Sequence, residues 1–205
     1  MKKAIWSLAA LAGALAAAGG ASAQACAGFG TTSGQGTIGG VLNFPPGFHQ
    51  GGAEISYHTE SPIGVNGAVL VSSDDDATLA TFRGGAAFDL AQAGRLPAGL
   101  SLCPVVRADY STRSGLSFWQ VPLGVGLGAT VPLGGPGATL TPYVIPALMW
   151  EKLSGAGSSQ ITETHFAVRG GAEVGFSRFY LGGTLEWVDA MGTDAVFGVR
   201  AGVKF

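Results

Sequence analysis

From residue 35 to residue 205, large apolar side chains take one parity of the chain, while charges, glycines and hydroxyls take the other. Side chains of a strand point alternately to its two faces, whereas a helix repeats every 3.6 residues, so this pattern commits the chain to extended structure. Over 194–205 one face is Ala195, Phe197, Val199, Ala201, Val203 and Phe205, and the other is Asp194, Val196, Gly198, Arg200, Gly202 and Lys204. Over 179–188, Phe179, Leu181, Leu185 and Trp187 oppose Tyr180, Gly182, Thr184 and Glu186. Over 161–176, Phe166, Val168, Val174 and Phe176 oppose His165, Arg169, Gly171 and Glu173. Over 99–110, Leu100, Leu102, Val106 and Tyr110 oppose Ser101, Cys103, Arg107 and Asp109.

The pattern predicts ten strands, at 35–44, 50–58, 62–71, 77–90, 99–110, 116–132, 138–151, 161–176, 179–188 and 194–205. Turn chemistry separates them: Pro45-Pro46-Gly47, Glu60-Ser61-Pro62, Ser72 to Asp76, Gly94 to Gly99, Gly134-Gly135-Pro136-Gly137, Gly155 to Ser159 and Gly192-Thr193-Asp194. Merging or losing the first two segments gives eight strands as the alternative.

Alternation alone also fits a soluble sandwich. Composition separates the two. Of 205 residues, 47% are hydrophobic and only 12% charged, against about 25% charged in a typical soluble domain. The polar parity holds only about two charges per strand, interleaved with glycine, which suits a narrow lumen better than a wet sheet face. The apolar parity reaches the ~9–11 residues with which a tilted strand crosses hydrocarbon. Aromatics also sort by position. Trp119, Trp150, Trp187, Tyr110, Phe166 and Phe197 fall near one end of the strands, and Phe205, Phe176, Phe179, Phe88 and Tyr57 near the other. Two aromatic girdles around an aliphatic band are what two membrane interfaces select. The expected fold is all-β, a transmembrane up-and-down antiparallel barrel. The glycines lack the period of three that collagen requires, disorder would need low hydrophobicity and high net charge, and a net charge of −2 gives no basic surface for nucleic acid.

The first residues read as an export signal: Lys2 and Lys3, an apolar run from Ile5 to Ala18, then Ala21-Ser22-Ala23. Cleavage after Ala23, with a second frame at Ala23-Gln24-Ala25, divides the chain into a signal peptide at 1–23, an N-terminal segment at 24–34 and the barrel at 35–205. It also removes two of the 11 basic residues, leaving nine bases against 13 acids. A lipid-modified Cys26 is the alternative, but Gln24 and Ala25 fit that signal poorly. In an oxidising compartment Cys26 and Cys103 are allowed to form a disulfide, with two free thiols as the other reading.

On these features the chain resembles the small outer-membrane barrels of the OmpA/OmpX type and the broader family of outer-membrane β-barrel domains. The most specific point of likeness is the C-terminus, with Phe205 preceded by Val203, Ala201, Val199 and Phe197. In the family such an ending is read by the outer-membrane assembly machinery. The resemblance implies a Gram-negative-type envelope, export past periplasmic chaperones, and a surround of outer-membrane lipid and lipopolysaccharide. An even strand number places both termini in the periplasm. Breaks at 59–62, 91–98, 133–137 and 176–179 are then periplasmic turns, and those at 45–49, 72–76, 111–115, 152–160 and 189–193 short outer loops. No residue follows Phe205, so no cell-wall-binding domain of the OmpA kind is expected.

By parity the lumen receives Glu54, Asp89, Asp109, Glu151, Glu173, Glu186 and Asp194 with Arg83, Arg107, Arg169, Arg200 and Lys204, plus His58 and His165. Confined charges must pair or leave a desolvation cost of several kcal/mol per ion. The expected interior is therefore an ion-pair network that largely closes a narrow lumen, in a barrel with a structural or envelope-interaction role. A minor, porin-like, cation-leaning channel or small-solute barrel is the alternative, because acids outnumber bases and Gly124, Gly126 and Gly128 leave space. A lipid-modifying enzyme is a remote third reading: His58, followed by Thr59 and Glu60, faces the periplasmic end, while His165, two residues after Glu163, points inward with no serine at matching spacing. Asp74-Asp75-Asp76 could bind Ca²⁺ or bridge lipopolysaccharide, but more often such a run is simply a solvated loop tip that keeps the strand out of lipid. No cofactor is expected.

Overall fold

The computed structural model describes residues 35–205 except 46–48, 74–77, 91–92, 94–99, 114, 135–136, 156–159 and 190–194. The alternating segments form ten strands. They are β1 (Gln35–Phe44), β2 (Gln50–His58), β3 (Ile63–Ser73), β4 (Thr78–Phe88), β5 (Leu100–Arg113), β6 (Leu116–Ala129, continued by Val131–Pro132), β7 (Thr139–Gly155), β8 (Ile161–Gly175), β9 (Phe179–Val188) and β10 (Val196–Lys204). Each pairs antiparallel with its neighbours in sequence, and β10 returns to β1, so that Gly40 lies between Ala53 and Ala201. Leu123 of β6 faces Leu148 of β7. Every strand thus has two partners and the sheet has no edge, which is the condition for a sheet to stand in hydrocarbon. The eight-strand alternative is excluded.

The hairpins at one rim are tight. Phe176 N–H donates to the Phe179 carbonyl at 2.8 Å, and Thr59 N–H to the Ile63 carbonyl at 3.0 Å. Gly115, between β5 and β6 at the other rim, has φ +81°, a left-handed value that disfavours any side chain. The termini of the described chain, Gln35 and Phe205, meet at the first of these rims, called here the terminal rim. There Gly36 and Phe205 exchange two backbone hydrogen bonds of 2.9 Å and close the seam.

Two features of the ladder have physical causes. β7 runs to Gly155 rather than 151, pairing Ser154 with Ser117 and Lys152 with Trp119. A ladder needs backbone partners, not apolar side chains, so β5, which reaches Arg113 rather than 110, and β7 continue past the ends that the alternation marks. Prolines also stand inside central strands, at Pro104, Pro122, Pro142 and Pro146. Pairing lapses where Arg107 and Ala108 pass Val121 and Pro122, and where Val125 and Gly126 pass Ile145 and Pro146. These are places where a missing N–H breaks the ladder.

The barrel is inverted relative to a soluble domain. Among the described residues thirty-one large apolar side chains are exposed, against eleven buried hydrophobic ones. Among the described residues, the only charged side chain on the outward parity of the ten strands is Lys152, beyond Trp150 at the far rim. Inward positions carry the polar residues, including fully or nearly buried Thr37, Ser56, Asp109, Glu173 and Arg200.

Candidate functional site: the charged lumen

Three tiers of polar side chains cross the lumen. Nearest the terminal rim, Arg200 from β10 donates through Nη2 to Glu173 Oε2 of β8, and its Nη1 lies 3.8 Å from Glu54 Oε1 of β2. Tyr180 Oη donates to the same Glu54 oxygen at 3.0 Å, and the Arg200 guanidinium stands 5.8 Å from the Tyr180 ring centre. Glycine makes room for this tier: a Cβ on Gly202 would lie 2.7 Å from Tyr180 Cε1. Lys204 lies over Gly175 at the same end.

The middle tier is a guanidinium belt. Arg83 holds Asp109 with two bonds, Nε to Oδ1 at 3.0 Å and Nη2 to Oδ2 at 2.9 Å. Arg107 approaches the same Oδ2 at 3.3 Å through Nε and crosses the lumen to Glu186, with Nη2 to Oε1 at 2.8 Å and Nη1 to Oε2 at 3.3 Å. Such two-point pairing fixes orientation as well as charge. Arg169 stands directly opposite Glu186 in the β8–β9 ladder. Yet it makes no hydrogen bond or ion pair among the described residues, and its Nε is buried without a partner. It belongs to the lumen by position, not to the ion-pair network by contact.

Toward the far rim, Gln120 donates to Glu151 Oε1 at 2.7 Å, and His165 Nε2 lies 3.2 Å from Glu163 Oε2 and 3.6 Å from Glu151 Oε2. His58 is buried, with Nδ1 2.9 Å from the Thr59 carbonyl. Asp89 is buried just after β4, where its N–H donates to the Pro62 carbonyl at 2.7 Å. No group of three or more metal-ligating side chains gathers among the described residues.

Cavities among the described residues interrupt this packing. A vestibule of about 530 Å³ is lined from the far-rim side by Gln120 and Glu151, and deeper by Arg83, Arg107, Arg169, Asp109 and Glu186. A smaller space of about 50 Å³ adjoins Arg107, Arg169 and Glu186 beneath Pro122, Gly124 and Ile145. On the terminal side, Tyr143, Glu173, Tyr180, Arg200 and Ser56 are all buried. The sequence reading missed the inward tyrosines as lumen fillers. Their signal was available: Tyr180 sits on the glycine-rich parity, and Tyr143 faces Gly171, where a Cβ would come within 2.7 Å of its hydroxyl.

Trp119, Trp150, Trp187, Phe166 and Phe197 are exposed on the outward face toward the far rim, where Tyr110 packs on Trp119 with ring centres 4.8 Å apart. Phe88, Tyr57, Phe176, Phe179 and Phe205 are exposed at the terminal rim. Phe197, Val199, Ala201 and Val203 share the outward parity with Phe205, whose ring covers Gly36. Cys103 is fully buried in β5 and disulfide-bonded. Cys26, the signal segment, Asp74 to Asp76 and Asp194 lie outside the described residues.

No family model matches the chain, and no curated protein sequence matches it. Among solved structures, the N-terminal β-barrel domain of Pseudomonas aeruginosa OprF is 10% identical, over 85% of this chain and 100% of that one, with a TM-score of 0.39. The KdgM porin is 9% identical over 83% and 98%, at 0.42. The Acinetobacter baumannii outer membrane protein Omp33 is 12% identical over 83% and 98%, at 0.36.

Proposed function

We propose that this chain is a small outer-membrane β-barrel whose lumen is closed by its own ion pairs, with a structural or envelope-interaction role. One observation carries the reading: a closed sheet has its uncharged apolar face outside, bounded by aromatics at both rims, and its charges inside. Contiguous exposed apolar surface beyond a few hundred Å² is rare on soluble monomers, and here it runs around the whole barrel. Lipid is the surround that removes it from water, and lipopolysaccharide would meet the far-rim aromatics. In this reading Phe205 and the outward residues before it present the ending recognised by the assembly machinery, after chaperone-assisted export through the periplasm. No catalytic role is included, because His58 is buried and both lumen histidines are engaged by neighbouring groups.

Leu123, exposed midway between the aromatic rims on β6, gives the test. Leu123→Arg is expected to lower the stability of the barrel refolded in phospholipid vesicles by about 2–4 kcal/mol, the cost of a cation at the hydrocarbon midplane. Urea unfolding followed by tryptophan fluorescence measures it. Wild-type stability in that variant would contradict a lipid-facing wall.

A second reading, a minor channel, is favoured by the vestibule of about 530 Å³. It requires a water path past the Arg200 tier, which single-channel recording decides.

A further inference from the structure

We propose that the vestibule is a binding site for a small hydroxylated organic monoanion, anchored by the guanidinium of Arg169. The inference rests on the barrel described above but not on its cellular location, nor on whether the lumen conducts.

Charge arithmetic in the belt is the first support. Three guanidiniums (Arg83, Arg107 and Arg169) face two carboxylates (Asp109 and Glu186), and both carboxylates are taken by Arg83 and Arg107. The belt is one positive charge in excess, and that charge is on Arg169. A guanidinium confined in a lumen and lacking a carboxylate is costly, and a bidentate anion is its natural complement. The other inward cations do not offer this. Arg200 is held by Glu173 and Glu54, and Lys204 sits at the opposite end.

Shape is the second support. Arg169 lines both the vestibule and the small space beneath it, so an anion seated on it would lie at the vestibule floor. The volume of about 530 Å³ falls in the ~300–1,000 Å³ range of small-molecule sites. One side of the wall offers Thr184 and a hydrogen-bonded row of Asn43, Gln50, Thr81 and Ser111, whose remaining donors and acceptors suit the hydroxyl groups of a ligand. The other side offers Leu116, Phe118 and Met149 against its carbon skeleton. Glu151 also lines the cavity, held by Gln120 nearer the far rim. With Asp109 and Glu186 it brings the lining to three acids against three bases. A dianion is therefore disfavoured, and one carboxylate on a polyhydroxylated chain fits best.

The test is isothermal titration of the barrel, refolded in zwitterionic micelles at low salt, with sodium gluconate, inorganic phosphate and glucose. Gluconate is expected to bind at one site, with phosphate at least ~10-fold weaker and glucose undetected. Arg169→Gln is expected to fold as the wild type does, because it removes no ion pair, and to weaken gluconate at least ~10-fold. Glu186→Gln, which frees Arg107, is expected to tighten it. Absence of gluconate binding, affinity unchanged by both variants, or phosphate or glucose binding as tightly as gluconate would each overturn the assignment. Such a failure in micelles leaves the vesicle result for Leu123→Arg untouched, so the two readings fail separately.

Discussion

Replacing Arg200 with methionine is expected to lower the unfolding free energy of the barrel by about 3–5 kcal/mol, the cost of removing one partner from a buried ion pair. Arg200 is only 9% exposed and Glu173 only 3%. The guanidinium answers Glu173 and Glu54 together, while the Tyr180 hydroxyl gives Glu54 its remaining donor. Methionine fills much of the same volume but leaves two carboxylates facing each other in a solvent-poor section of lumen. Adding Glu173→Gln should recover part of the loss, since the stranded charge and not the lost volume is the larger cost. Urea titration in micelles, read by tryptophan fluorescence and heat-shifted gel mobility, measures both variants. A loss below about 1 kcal/mol for Arg200→Met would mean that water reaches this tier and screens it.

Asp109→Asn is expected to cost a similar ~3–5 kcal/mol by the same logic with the sign reversed. Asp109 is 3% exposed and bridges Arg83 and Arg107. The amide keeps its shape but leaves Arg83, Arg107 and Arg169 together with Glu186 as the belt's one carboxylate. Arg83→Met in the same chain should return most of the stability, because it removes the guanidinium that Asp109 held most fully. If the double variant is no better than the single, the belt is not held by charge balance. Asp109 and Arg200 share no partner, so their effects should add.

The strands were legible because their signal is local: a period of two, punctuated by Pro45, Gly134 and their like, needs no knowledge of the rest of the chain. Hence the edges of β1, β2 and β9 fall where the alternation ends. Which residues face inward follows from the same parity. Which inward residues meet does not, because partners across a lumen depend on strand number and stagger. Arg107 reaches Glu186, 79 positions along the chain. Arg169, adjacent to Glu186 in the ladder, is left without a partner because that carboxylate is already taken. Counting acids against bases over the whole lumen suggested a cation-leaning interior, yet it averages over tiers. The belt taken alone has the opposite sign. The inward tyrosines were hidden for a different reason. A Tyr on a polar parity reads as one more hydroxyl until Gly202 and Gly171 are seen to give its ring a place against the wall.

Whether the lumen is closed is tested most directly by single-channel recording of the refolded protein in planar lipid bilayers, once heat-shifted mobility verifies the fold. A closed lumen predicts no resolved conductance steps from the wild type, and their emergence when the Arg200 tier is thinned by the double change Arg200→Met with Tyr180→Ala. Steady steps from the wild-type barrel, falling when Glu173 is neutralised, would contradict closure and make this chain a small pore.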